Sequence, residues 1–360
     1  MTEEQQMLRD SAERYLRDNY DFAARQALAD QGDGLDTRHW QAFADMGWAA
    51  MCFPEERNGF GFGLQAIAPL AELLGNFLVR EPLLESALLA GHVLVSAPNA
   101  VGDRMIPGIM DGSVLATVPY PSDLPPVAVQ ADNGIRIQGR LDYVPSGGSA
   151  THVVTPAQYN GGMGWILVGL EAEGVNRTPF MNHDGRIGAH IELDASLDSE
   201  ALLLWGTIAD AMHASVYQRA MLLAAAEGVG AMQGALDLTV EYTKQRQQFG
   251  QPLASFQALQ HRMADMLIQT ELARSLVGAA CRAVDAGTDE AQSLVLAAKA
   301  KVDTAARKVT QEAIQMHGGI ATTNEYRVGH YFKRMALLES WPKHRDAVIA
   351  EFIQHRGETQ

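Results

Sequence analysis

The sequence predicts an α+β protein of several domains, with an N-terminal helical domain, a middle β domain and a C-terminal four-helix bundle. Three observations predict it. Helical periodicity broken by Pro/Gly loops runs to about residue 112, short β-rich runs follow from Ser113, and helical periodicity returns after Thr207 in Ala-rich segments. At 360 residues, 47% of them apolar, the chain exceeds one ordinary domain and can bury substantial cores. The boundaries are expected at 1–112, 113–206 and 207–360.

Residues 2 to 30 place Leu8, Ala12, Tyr15 and Leu16 at helical intervals among charges, with Thr2 and Gln5 suiting a capping box. A second periodic stretch surrounds Trp40 to Trp48 and breaks into the Pro/Gly-rich loop from Pro54 to Gly63. Helix resumes over Leu64 to Gly75 and again over Leu83 to Ser96. Gly59-Phe-Gly61-Phe-Gly63 is not a dinucleotide fingerprint: the third glycine comes one residue early, and a helix rather than a strand precedes it. Val127-Ala-Val, Ile135-Arg-Ile137, His152 to Thr155 and Ile166 to Val168 read as strands of a small β domain ending near Leu204. Four helical segments follow, at 210–245, 255–285, 289–318 and 325–356.

With 43 acidic against 28 basic residues the net charge is -15, which argues against nucleic acid and against an anionic membrane surface. Cys52 and Cys281 stand far apart, so neither a disulfide framework nor a zinc site is suggested, and a reducing cytoplasm fits. The polar start Met1-Thr-Glu-Glu-Gln-Gln is no signal peptide, and no apolar run approaches the roughly 18 residues of a membrane span. The 15 methionines are expected as core filler.

Two strings carry chemistry. Glu241-Tyr-Thr-Lys-Gln-Arg246-Gln-Gln-Phe249-Gly250 closes a long apolar helix with a fork of donors suited to phosphate, beside a ring-sized apolar surface. Gln315-Met-His-Gly318-Gly319 begins 65 residues after Gly250 and ends another helix with glycines that admit close backbone approach. Each also has a plain structural reading, Arg246 as a helix C-terminal cation and Gly318-Gly319 as a C-cap.

In this order and spacing, and with Gln257 and Tyr326 beside them, the two strings resemble the C-terminal domain of the acyl-CoA dehydrogenase family. Met46-Gly-Trp through Gly63 is similar to that family's Gly-rich N-terminal loop, and Gly318-Gly319 through Asp346 to its C-terminal signature. The resemblance implies an α domain, a β-barrel-like middle domain and a helical bundle. It also implies FAD at a subunit interface, its ring against the β domain of one subunit and its nucleotide end held by the helices of the neighbour. Arg246, Gln248, Phe249, Gln257, Gln315, Gly318 and Gly319 match the positions that reach across to the other subunit's FAD, with Arg246 toward the pyrophosphate and Phe249 toward the adenosine.

Dehydrogenation of an acyl thioester needs a base for the α-proton while the flavin takes the β-hydride. The resemblance places that carboxylate about 23 residues after Gly319, where this chain has Pro342, or on the helix before Arg246, where it has Ala220 and Met221 with Arg219 nearby. Both positions lack an acid. The flavin-ring segments are altered too: Thr117-Val-Pro119-Tyr-Pro121-Ser122-Asp123 loses the family's acid and a glycine, and Gly139-Arg-Leu-Asp-Tyr143-Val-Pro145 loses its terminal hydroxyl. Trp341 is expected to wall the acyl pocket. Glu339 is a candidate relocated base, though a helical Glu near a bundle end reads more simply as a solvated charge. Glu227, in an apolar stretch, reads as one half of a buried ion pair. His317 either faces cofactor phosphates or is satisfied by backbone.

The economical reading is a subunit of an FAD-dependent acyl-CoA dehydrogenase that lends the FAD tail site to a larger homologous partner carrying the catalytic Glu, as an α2β2 assembly. Gly329-His-Tyr-Phe-Lys-Arg334 resembles the small subunits of two-gene enzymes acting on steroid side-chain or dicarboxylic acyl-CoA thioesters, with an electron-transfer flavoprotein as acceptor. The rivals are a self-sufficient homotetramer using Glu339 and a non-catalytic interaction subunit.

Overall fold

The computed structural model describes residues 3–32, 34–98, 100–132 and 134–358. In chain order it opens with α1 (Glu3–Asn19), α2 (Phe22–Asp30), α3 (Thr37–Asp45) and α4 (Leu64–Asn76). A π-helical turn, Leu84–Ala90, runs on into α5 (Gly91–Ser96), and α6 (Ala100–Met110) follows. Eight strands come next: β1 (Ala116–Thr117), β2 (Val127–Ala131), β3 (Gly134–Val144), β4 (His152–Tyr159), β5 (Gly162–Gly169), β6 (Val175–Met181), β7 (Ile187–Leu197) and β8 (Leu202–Trp205). The chain ends with α7 (Thr207–Gln245), the two-residue strands β9 (Gln247–Gln248) and β10 (Gln251–Pro252), then α8 (Gln257–Ala286), α9 (Ala291–His317), α10 (Val328–Ser340) and α11 (Arg345–Glu358). N-terminal helices, a central mixed sheet and a C-terminal helical bundle are the architecture expected from sequence.

Several expectations change in detail. The first helical stretch is two helices, because Asp21 Oδ1 accepts from the Ala24 amide at 2.9 Å and starts a new helix there. The proposed cap at Thr2 lies outside the described residues. The fourth helix of the bundle is also two, interrupted at Trp341-Pro342, since proline lacks the N–H that would continue the ladder and turns its predecessor extended. α6 was not anticipated, its pattern being diluted by Gly102, Pro107 and Gly108. Strand β7 had a legible signal that was overlooked: Ala189, Ile191, Leu193 and Ala195 are buried, and the residues between them face outward.

The chain divides into two compact units. One comprises residues 27–62 and 80–219 and is built on the sheet, in the order β6-β7-β3-β2-β4-β5-β8 with β1 paired to β4. Most pairings are antiparallel; β1–β4 and β2–β4 are parallel. The β4–β5 hairpin turns through Asn160 at φ 48° and Gly161 at φ 81°, the left-handed pair that a two-residue turn requires. Trp165 is fully buried here and donates its indole N–H to the Ala209 carbonyl at 3.2 Å.

The other unit comprises residues 1–26, 63–79 and 220–360 and is helical, with α8, α9, α10 and α11 packed together and α4 against α7 and α8. Glycines set the approach of α4 to α7. A Cβ on Gly230 would stand 1.7 Å from the Glu72 carbonyl oxygen, and one on Gly75 would stand 1.9 Å from that of Glu227. Gly230→Ala is therefore expected to destabilise the protein by about 2–3 kcal/mol, because two backbones would have to separate. An unchanged urea midpoint for that variant would contradict this packing. Glu227 is 1% exposed, and its carboxylate receives both the Nε and an Nη of Arg334 at 2.7 Å, the ion pair anticipated from sequence. A second buried pair joins Lys299 Nζ to Asp303 Oδ2 at 2.5 Å, and the same ammonium donates to the Leu338 carbonyl at 3.0 Å. Burial pushes the Asp303 carboxyl up to about 7, against the pull of Lys299.

Candidate cofactor-binding site

The two chemistry-bearing strings meet on the helical unit. α7 ends at Gln245, and β9 and β10 form a hairpin whose turn is Phe249 at φ 55° and Gly250 at φ 82°. That backbone is the two-residue hairpin turn with both central residues left-handed, and it thrusts Phe249 outward so that the ring is 89% exposed. The ring of Phe256 meets it edge-on at 6.2 Å. Gln257 opens α8 directly after. The other string ends α9, where Gly318 takes φ 68° as the helix stops. A Cβ on either Gly318 or Gly319 would meet nothing of this chain within 4 Å, so the space beside both is open.

Aromatic stacking joins the strings. Tyr242 lies against the His317 imidazole at 4.4 Å and 28°, and its hydroxyl donates to the His317 carbonyl at 3.3 Å. Tyr326 closes the cluster 5.2 Å from His317. Sequence reasoning had not singled out Tyr242, although its place one turn before Arg246 was a signal. His317 is 4% exposed and its Nδ1 lies 2.8 Å from the Ala313 carbonyl, so the backbone-satisfied reading holds for that nitrogen. Burial keeps its pKa below the usual imidazole value, so the ring is neutral at neutral pH.

Arg246, Gln248, Phe249, Gln257, Gln315, Gly318 and Gly319 are all exposed. The Arg246 guanidinium forms no ion pair or side-chain hydrogen bond with any described residue. A free guanidinium, an outward phenyl ring and an open glycine pair fit the requirements of a dinucleotide's pyrophosphate and adenosine. The flavin-ring segments of the sheet unit do not fit in the same way. The Thr117 hydroxyl is fully buried and donates to the Pro145 carbonyl at 2.8 Å, and the Tyr120 amide donates to the Tyr143 carbonyl at 2.7 Å. Pro121 and Pro145 have no N–H to offer. These two donors are spent within the segments themselves.

Neither position expected for the base holds an acid. Pro342 is buried at the break between α10 and α11, Trp341 before it is buried too, and Ala220 and Met221 are buried apolar residues of α7. Glu339 is not the solvated charge expected from its place near a helix end. It is 7% exposed, and an Arg307 Nη donates to its two carboxylate oxygens at 2.7 and 3.0 Å while Arg345 Nη1 stands 3.4 Å away. That carboxylate is committed to two guanidinium groups of its own chain. Glu227 is likewise committed to Arg334. Among the described residues no group of three or more His, Cys, Asp or Glu could hold a metal ion, and no helix is long and apolar enough to cross a membrane.

Comparisons with known proteins agree with this geometry. The acyl-CoA dehydrogenase N-terminal domain matches residues 2–113, and the acyl-CoA dehydrogenase C-terminal domain matches residues 208–342. "Acyl-CoA dehydrogenase IpdE2" of Mycobacterium tuberculosis is 34% identical over 344 residues, 94% of this chain and 94% of that protein. Among solved structures, the "Tcur3481-Tcur3483 steroid ACAD G363A variant" superposes with a TM-score of 0.90 at 27% identity, covering 99% of this chain and 98% of that one. The ChsE4-ChsE5 complex from Mycobacterium tuberculosis shares the fold with a TM-score of 0.93 at 24% identity, covering 100% and 99%. With both family domains matched and a relative of this identity aligned over nearly its whole length, the chain belongs to the acyl-CoA dehydrogenase family.

Proposed function

We propose that this chain is a subunit of an FAD-dependent acyl-CoA dehydrogenase of the steroid side-chain or dicarboxylic type, lending the FAD nucleotide-tail site to a larger homologous partner that carries the catalytic Glu. The observation that carries the reading is an asymmetry. The residues proposed for the tail are exposed and open, whereas in the ring segments the Thr117 hydroxyl and the Tyr120 amide are paired internally and both base positions hold apolar residues. Arg246 would pair with the pyrophosphate, Phe249 would cover the adenosine, and Gly318 and Gly319 would admit backbone contact, with Gln248, Gln257 and Gln315 as polar neighbours. FAD supplies the hydride acceptor when bound. The division at 112/113 and 206/207, an α2β2 assembly, a cytoplasmic location and an electron-transfer flavoprotein as acceptor belong to the same proposal. The names of two similar structures, a steroid ACAD and a two-chain complex, support the substrate class and the paired assembly.

The test is expression of the chain alone and together with a larger homologue that has a Glu at the position of Pro342. Stoichiometric FAD and turnover are expected from the pair only, and full FAD with turnover from the lone chain would reject the reading. Glu339→Gln in the pair is expected to keep turnover within about twofold, because the carboxylate is held by Arg307 and Arg345 rather than by substrate. A loss of turnover by about a hundredfold or more in that variant, with FAD retained, would instead make Glu339 the base.

A further inference from the structure

A buried charge cluster lies under the break between α10 and α11. In a continuous helix the Leu338 carbonyl would accept from the amide of residue 342, which is a proline and has no N–H. The Trp341 amide reaches that carbonyl at 3.2 Å, and Lys299 of α9 supplies the rest. Its ammonium donates to the Leu338 carbonyl at 3.0 Å and to Asp303 Oδ2 at 2.5 Å. Lys299 and Asp303 are both buried, one turn apart on α9, and a cation at this end of α10 also meets the negative end of the helix dipole.

Asp303 lines a cavity of about 100 Å³ between α9 and α10, with Phe332, Met335 and Ala336 on the α10 side. The charged groups that face it are Lys299 and Arg307 on its own helix, Glu339 on α10 and Arg345 on α11. Arg307 and Arg345 are both engaged by Glu339, so Lys299 is the cation bonded to Asp303. A void and a buried ionic pair make this seam poorer in apolar contact than the rest of the helical unit, and such seams open before the whole fold does. Burial raises the Asp303 carboxyl to about 7 and lowers the Lys299 ammonium, drawing each toward its neutral form.

We propose that the end of α10 is a proton-gated latch: while Asp303 is protonated the seam between α9 and α10 stays closed over Lys299, and ionisation of the buried carboxylate loosens it. The sign follows from solvation. Opening lets water reach Asp303 and returns it to the ordinary carboxylate value of 3.8. From about pH 4 to about pH 7 the closed seam therefore holds a proton that the open seam releases, so opening is rare in acid and grows as the pH rises. Lys299 acts in the opposite sense, since opening restores its proton, and it limits the effect on the alkaline side. The latch uses none of the residues proposed for the FAD tail, and its test needs no flavin.

The test is amide hydrogen exchange of the full-length chain, followed at Glu339, Ser340 and Trp341 and corrected for the intrinsic pH dependence of exchange. Between about pH 5.5 and about pH 7.5 the open population at these amides is expected to rise about tenfold or more, with the middle of α7 unchanged. Asp303→Asn, neutral at every pH, is expected to keep the protection of the acidic sample at both. Lys299→Met approaches the latch from the other side and is expected to speed exchange at the three amides about fivefold or more at either pH, because the Leu338 carbonyl loses its donor. The proposal is overturned if the corrected exchange of the native chain is the same at both pH values, if its pH dependence survives Asp303→Asn, or if Lys299→Met keeps native protection at these amides.

Discussion

Glu227→Ala is expected to cost the fold about 3–5 kcal/mol, the largest single effect foreseen for this chain. The carboxylate and the Arg334 guanidinium are both buried and face each other through two bonds of 2.7 Å. Removing one partner leaves an uncompensated charge in the helical unit, and that penalty exceeds the worth of the pair itself. Arg334→Ala should cost a similar amount. The joint replacement Glu227→Leu with Arg334→Met should recover most of the loss, because two apolar side chains of comparable size need no compensation there. Urea unfolding of the four proteins decides it. If each single variant unfolds within about 1 kcal/mol of the native protein, the buried pair is not what holds these helices together.

Arg246→Ala is expected to weaken FAD binding by the assembled enzyme about 10–100-fold while leaving the fold within about 0.5 kcal/mol of native. The split follows from its surroundings. The guanidinium is exposed and makes no bond to a described residue, so the folded chain does not depend on it, whereas a pyrophosphate would gain a charge-assisted fork of donors. Arg246→Lys should restore only part of the affinity, since an ammonium keeps the charge and loses the fork. Fluorescence titration of the partner-assembled protein with FAD measures this. A control is Thr117→Val, which should leave FAD affinity unchanged because that hydroxyl is committed to the Pro145 carbonyl at 2.8 Å. Equal FAD affinity in native and Arg246→Ala assemblies would remove the tail site from this chain.

The local geometry of the proposed tail site was legible because it depends on a few consecutive residues. The Phe249-Gly250 turn, the end of α7 and the stop of α9 at Gly318 are each fixed by a few consecutive residues, and their chemistry is written in side-chain types. The lack of an acid at the two expected base positions was legible for the simplest reason: Pro342 and Ala220 carry none in any conformation. Less was readable where a turn or helix is set by weak signals, as at Asp21 and in α6, where glycine and proline blur the periodicity.

By itself, then, the sequence determined the succession of helices, strands and helices, the residues proposed for a dinucleotide, and the absence of an acid at Pro342 and Ala220. The tertiary structure alone decided what each polar side chain is committed to. Glu339 is clamped by Arg307, 32 residues away; Thr117 is closed on Pro145, 28 away; and Glu227 finds Arg334 at a separation of 107. The physical reason is range. Backbone propensity and amphipathic period act over a few residues, whereas a buried charge or hydroxyl is satisfied by whatever packing brings against it, and spacing along the chain does not encode that partner.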